Sequence, residues 1–249
     1  MFSNEKNLKI STWEGFKRYD FEIFGTTATI AEPKEPTEDK KWIFRAEFFG
    51  SFPQADIRMC ELGYYVVYFD KSNMYGHDSA IDEMHRFKDY LCTKYGFFHK
   101  TVMFGFSRGA MYTMYYTAKY PKDISAIYLD APVMTSLSWP AGKGNAQCYE
   151  QQWKEYLEIY KMTEGEVLNY RNQPIDKTPD LLKNKIPVIL VAGCKDTGVP
   201  YDENGLIFAN IYRKNFGTIE VYEKPECDHH PHSLDDPTPI ANFILRYNK

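Results

Sequence analysis

A serine with glycine two residues before it and two residues after it, Gly105-Phe106-Ser107-Arg108-Gly109, follows the apolar run Thr101-Val102-Met103-Phe104. That arrangement is the G-x-S-x-G pattern of a sharp strand-to-helix turn that lifts a serine hydroxyl clear of a sheet. Side chains at the flanking positions would meet crossing backbone, so Gly105 and Gly109 are both expected to be sterically required. A serine hydroxyl is a weak nucleophile at neutral pH and needs a histidine base oriented by a carboxylate. On such a turn the chain order is serine, then acid, then histidine. Asp196 stands in Gly193-Cys194-Lys195-Asp196-Thr197-Gly198, just past the apolar run 188–192. Three of the six histidines, His229, His230 and His232, fall within four residues, after the strand-like run 218–222. His229 stands at the spacing expected for the base, with His230 and His232 as alternatives.

A tetrahedral oxyanion needs two N–H donors. One is expected from the backbone of Arg108, the residue after the serine, and the other from the loop Arg45-Ala46-Glu47-Phe48-Phe49-Gly50, at Ala46 or Glu47. Arg45, Tyr75 and Trp139 are the expected substrate contacts. Cys227, Asp228, His229, His230, His232 and Asp235 are all metal-ligating types. Their spacing matches neither C-x-x-C nor H-E-x-x-H, so no metal is expected. No glycine-rich phosphate loop points to a nucleotide, and no cofactor is expected.

These groups must be positioned by a scaffold, and the hydrophobic pattern supplies one. Apolar runs at 42–49, 64–69, 101–104, 124–129, 186–192 and 218–222 read as strands, with an opening hairpin about Gly25 formed by 16–24 and 26–31. Helical spacing covers 54–62, 79–95, 108–120 (stopped by Pro121), 206–215 and 239–247. Strands alternating with helices imply an α/β fold with a parallel sheet covered on both faces. Residues 132–183 break the rhythm with Trp139, Pro140, Gly142 and Gly144 and then two helical stretches, which reads as a small helical cap inserted in a single domain spanning 1–249.

At 249 residues and a net charge of −4, the chain has room for a full core and no polybasic surface for nucleic acid or anionic lipid. No run of about 18 apolar residues is present. The first residues lack the apolar stretch of a signal peptide, so the expected location is cytoplasmic. Five scattered cysteines with no C-x-x-C pair fit a reducing compartment.

With strand, turn, acid and histidine in order, the chain resembles the α/β-hydrolase superfamily. More narrowly, it is similar to bacterial esterase-like members related to the prolyl oligopeptidase catalytic domain. Ser107-Arg108-Gly109, Leu129-Asp130-Ala131-Pro132-Val133, Ser138-Trp139-Pro140 and His229-His230-Pro231-His232-Ser233-Leu234 carry that likeness. The resemblance implies a twisted, eight-strand, mostly parallel sheet and cleavage of an ester or amide through an acyl-serine. It also makes an acylated sugar, or another small-molecule ester, the expected substrate. The usual His-Gly dipeptide is absent from the loop after the third strand, so the second oxyanion donor stays open between Ala46 and Glu47. Two other readings are a serine peptidase or aminoacyl-amide hydrolase of the same type, and a non-catalytic binding protein on a hydrolase scaffold. The sequence says nothing of oligomeric state.

Overall fold

Three consecutive parallel strands are sealed on both faces, and they set the architecture. β6 (Thr101–Phe106) and β8 (Val188–Gly193) have every residue buried, and β7 (Ile124–Asp130) all but one. A strand of continuous apolar character cannot leave either face wet, so helices must cover both. A computed structural model describes all residues, Met1–Lys249. The other strands are β1 (Lys6–Trp13), β2 (Phe16–Ile23), β3 (Thr26–Glu32), β4 (Trp42–Arg45), β5 (Tyr65–Phe69) and β9 (Ile219–Lys224). They form one nine-stranded sheet in the order β1-β2-β3-β5-β4-β6-β7-β8-β9. β1, β2, β3 and β5 pair antiparallel, and every pairing from β5 through β4 to β9 is parallel.

The sheet therefore has nine strands where eight are expected. The additional one, β1, is almost wholly exposed apart from Trp13. Its sequence, KNLKISTW, carries only Leu8 and Ile10 in alternation, too little to mark a strand, because an edge strand with a solvated face is specified by its partner β2 rather than by burial. The run 42–49 is shorter than expected, ending at Arg45. There the guanidinium turns back to the carbonyls of Glu47, Phe48 and Ser51, and Phe48 and Phe52 adopt left-handed φ of 57° and 47°, so the chain leaves the sheet as a tight loop.

Alternate side chains of the sheet feed two cores. On one face Trp42, Phe44 and Met103 meet α2 (Asp78–Tyr95), α3 (Gly109–Lys119), α6 (Thr178–Lys183) and α7 (Gly205–Lys214). On the other Ile43, Val102 and Phe104 meet α1 (Gln54–Glu61) and α8 (Thr238–Tyr247). α3 is the central helix, with nine of its eleven residues buried, which explains why its sequence GAMYTMYYTAK lacks a polar face. α2 ends at Gly96, whose φ of 68° supplies the left-handed C-cap. Between β7 and β8, where the cap is expected, lie α4 (Glu150–Tyr160), α5 (Glu164–Leu168), a 3₁₀ turn at Pro174–Lys177 and α6. α4 is tied to the loop after β5 by the Tyr75 hydroxyl donating to Glu155, and by the Tyr160 hydroxyl donating to the Tyr75 carbonyl. The carboxyl ends of β6, β7, β8 and β9 lie side by side, and Ser107, Asp130, Asp196 and His229 stand at those ends or on the loops that leave them.

Candidate active site

Ser107 occupies the turn between β6 and α3 with a φ of 50°, a left-handed conformation that costs energy for any non-glycine residue. The turn is held from three directions: Ser107 N–H donates to Asp130 O, and Ser107 O accepts from Ala110 and Val133 N–H. A Cβ at Gly105 would stand 2.5 Å from Thr113 Oγ1 and 2.9 Å from Ala110 Cα, so glycine is required there. At Gly109 the nearest atom to such a Cβ, Glu47 Cβ, is 3.5 Å away, an ordinary contact. The expectation that both glycines are sterically required therefore holds for Gly105 and fails for Gly109, because the chain passing at Glu47 stands off far enough to admit a methyl group.

Ser107 Oγ lies 3.0 Å from His229 Nε2, and His229 Nδ1 lies 2.7 Å from Asp196 Oδ2. Asp196 is fixed in turn, its Oδ1 accepting from Gly198 N–H at 2.9 Å and Val199 N–H at 2.7 Å. An ionised carboxylate only accepts, so these contacts place the proton of His229 on Nδ1 and turn the Nε2 lone pair toward the serine. His230 is exposed, with its ring stacked on Phe52, and His232 is buried with Nδ1 2.8 Å from Asp130 Oδ1. Of the three histidines left open by the sequence, His229 is the one on Ser107. Partial desolvation of its ring, together with the neighbouring His232 and His229 rings, holds His230 below the ordinary histidine value.

Asp228 stitches this arrangement together. Its Oδ1 accepts from Thr197 N–H at 2.7 Å and His229 N–H at 2.8 Å, joining the loop after β8 to the loop after β9. Those two backbone donors hold its carboxyl below the usual aspartate range. The sequence marks Asp228 only as one of a set of metal-ligating residue types; its part in joining the two loops appears only when they meet.

Arg108 N–H donates to no backbone carbonyl and sits at the start of α3, where backbone donors point outward. Ala46 N–H is consumed by Phe104 O at 3.0 Å as the sheet ends, so it is not the second oxyanion donor. Glu47 N–H has no acceptor, and its nitrogen lies 3.6 Å from the Cβ position of Gly109, facing the turn. The Glu47 side chain is buried and paired with Arg108 Nε, and it accepts from Asn73 N–H. Burial pushes its carboxyl up from the ordinary value, with the Arg108 guanidinium opposing.

Two expected substrate contacts are also corrected. Arg45 is fully buried, ion-paired to Asp56 at 2.7 Å and with its guanidinium 3.7 Å above the Phe106 ring. Burial pushes the Asp56 carboxyl up to about 6 even with Arg45 beside it, the signature of a pair shut away from water. Tyr75 is likewise sealed, its hydroxyl spent on Glu155. Trp139 does reach the cleft, beside Tyr149 with ring centroids 5.9 Å apart. Phe48, Arg108, Gln152, Gly198, Val199 and His230 complete the walls of a space of about 440 Å³. A cleft of similar size, about 450 Å³, lies among Tyr115, Tyr160 and Tyr170 and contains none of Ser107, Asp196 or His229. Volume does not choose between them; the hydrogen-bonded chain does.

No family model matches the chain, and no curated protein matches it in sequence. Solved structures match over nearly its full length. Acylaminoacyl peptidase of Pyrococcus horikoshii superposes with a TM-score of 0.69 at 13% identity, covering 99% of this chain and 43% of that one. Est1E from Butyrivibrio proteoclasticus gives 0.63 at 19% identity, covering 97% and 98%. The chain has the α/β-hydrolase fold. Acetyl xylan esterase 1 from Thermoanaerobacterium shares that fold with a TM-score of 0.64 at 14% identity, covering 100% of this chain and 90% of that one. This chain thus spans less than half of the peptidase and most of each esterase. No helix in it is long and apolar enough to cross a membrane.

Proposed function

We propose that this protein is a serine hydrolase that cleaves a carboxylic ester through an acyl-Ser107 intermediate, with a small acyl group on a carbohydrate as the preferred substrate class. The unbroken contact from Ser107 Oγ through His229 to Asp196 carries this reading. In the first half-reaction Ser107 Oγ attacks the ester carbonyl while His229 Nε2 takes its proton. The oxyanion is received by the N–H groups of Arg108 and Glu47, neither of which donates to a backbone carbonyl. His229 then returns the proton to the departing alcohol, and water repeats the sequence to release the acid. Asp196 keeps the ring in the tautomer that makes Nε2 the base and stabilises the imidazolium.

Ester is favoured over a free aminoacyl amide by the charge of the cleft. Its one charged wall residue outside the histidine pair is Arg108, which is ion-paired with the buried Glu47, so the cleft wall offers no unpaired carboxylate to receive a substrate ammonium. Trp139 and Tyr149 line the cleft with mutually tilted rings, and Gln152 adds a hydrogen-bonding group, a combination suited to a sugar ring. The folds shared with Est1E and the acetyl xylan esterase support the same reading. The test is a panel of acetylated sugars, aryl acetates and aminoacyl or acyl-aminoacyl anilides, run beside fluorophosphonate labelling. Labelling at Ser107 with turnover of acetylated sugars is expected. Turnover confined to anilides would displace the ester reading, and hydrolysis undiminished in Ser107→Ala would end the serine mechanism.

A further inference from the structure

A second histidine–carboxylate pair stands beside the first, and acyl transfer has no use for it. His232 Nδ1 lies 2.8 Å from Asp130 Oδ1, with the two side chains 5% and 1% exposed. Asp130 Oδ2 accepts from Ser233 N–H and from the Tyr128 hydroxyl, so the carboxylate is fully engaged. The proton of His232 therefore sits on Nδ1, and its Nε2 lone pair has no hydrogen-bond partner, whereas that of His229 faces Ser107 Oγ. His230 makes no side-chain hydrogen bond, and its ring is held by stacking on Phe52. The three rings stand edge to face with centroids 4.8 to 4.9 Å apart, and one ligating nitrogen from each lies within 4.8 Å of the other two.

We propose that His229, His230 and His232 bind a divalent late transition-metal ion, Zn²⁺ being the type case, and that the bound ion blocks hydrolysis. This rests on the reading of His229 as the base for Ser107: the ion takes the Nε2 lone pair that would otherwise take the serine proton. Neutral imidazole nitrogens are strong ligands for this group of metals. Two of the three already have the outer partner that such ligands use, a carboxylate on the opposite ring nitrogen that fixes the tautomer and raises basicity. Ligands at ordinary zinc distances sit about 3.3 Å apart in a tetrahedral site, so the cluster must contract. His230, exposed and without a hydrogen bond, is the ring able to swing inward. Coordination forms three N–metal bonds, breaks the hydrogen bond between Ser107 Oγ and His229 Nε2, and leaves a fourth position for water.

The test has a readout independent of activity. Protein freed of metal with a chelator is titrated with Co²⁺, following the visible absorption of tetrahedral cobalt, and Zn²⁺ is then added as competitor. In parallel, Zn²⁺ is titrated against p-nitrophenyl acetate hydrolysis, and EDTA is added to reverse it. The expected result is a cobalt band that Zn²⁺ abolishes, with inhibition at the same Zn²⁺ concentration. His230→Ala, which removes an exposed side chain, should weaken both by more than about tenfold. Asp130→Asn, which removes an outer partner, should weaken both by about 10- to 100-fold. Ser107→Ala should keep the band while losing hydrolysis; if it keeps both, the metal site stands and the serine mechanism fails. The proposal is overturned by absence of the band, by Zn²⁺ accelerating hydrolysis, or by a band that survives His230→Ala but disappears in Cys194→Ser/Cys227→Ser.

Discussion

His229–Asp196 and His232–Asp130 are the same chemical pair, at the ends of neighbouring strands and with imidazole rings 4.9 Å apart, yet their surroundings differ in kind. The Asp196 carboxylate takes its other hydrogen bonds from Gly198 and Val199 in its own loop, and the His229 side chain keeps 18% of its surface exposed toward Ser107 and the cleft. Asp130 is tied instead to Ser233 and Tyr128, and the His232 ring is closed in by Phe52 and Phe106 at 5.2 and 5.4 Å. One pair has a nucleophile in reach and an open side for a proton to leave. The other anchors the loop that carries the first. Chemical identity does not assign a role here; the third contact of each ring does.

The widest separation between the pairs is expected on removing the imidazoles. His229→Ala should reduce kcat for p-nitrophenyl acetate by about 10⁶-fold, the scale seen when a base of a serine triad is deleted. His232→Gln should lower kcat far less, through displacement of the loop. Equal losses in the two variants would erase the distinction, and a larger loss in His232→Gln would reverse it.

The carboxylates give a narrower contrast with two different readouts. Asp196→Asn should lower kcat by about 10⁴-fold with little change in urea midpoint, since an amide in that place favours the wrong tautomer of His229. Asp130→Asn should retain most of the activity and lose about 3 kcal/mol of folding stability, because buried donors and His232 lose an anionic partner. Urea denaturation measures the second quantity, and kcat at saturating substrate the first. Swapped outcomes would mean that the buried pair serves catalysis.

Local signals make the reactive half of this site legible in the amino-acid sequence. Ser107, Asp196 and the His229–His232 cluster each follow an apolar run, and their order is set by topology, so strand ends and chain order select the serine, the acid and the cluster, while only the folded contacts single out His229. Arg45 and Ala46 escape such signals because their fates depend on distant partners: Asp56 on α1 draws the guanidinium inward, and Phe104 on β6 uses the Ala46 N–H. Tyr75 escapes in the same way through Glu155, eighty residues along the chain. β1 is hidden because a solvated edge strand has no burial pattern to betray it. The 3.5 Å clearance at Gly109 is likewise a matter of how closely the loop after β4 passes, which no pentapeptide records.

The smallest expected effect sharpens the contrast furthest, because it concerns how each pair is held rather than what it does. His232 and Asp130 are located by buried contacts, whereas the backbone of His229 is located by an exposed clasp through Asp228. Two backbone donors, Thr197 and His229, keep the Asp228 carboxyl below its ordinary value. A depressed folded-state pKa means the clasp is fully present above the usual aspartate range and fails only as pH falls through the lowered value. Asp228→Ala should therefore lower kcat about tenfold, the equivalent of one or two hydrogen bonds of positioning, with KM little changed. The loss should be constant from about pH 6 to pH 8, where the clasp in the unmodified protein stays ionised. Asp228→Asn, whose amide oxygen can still accept from Thr197 and His229 N–H, should recover most of the rate. A deficit that grows with falling pH inside that window would show that Asp228 acts on the His229 proton directly, and a raised KM with unchanged kcat would place it in substrate binding instead.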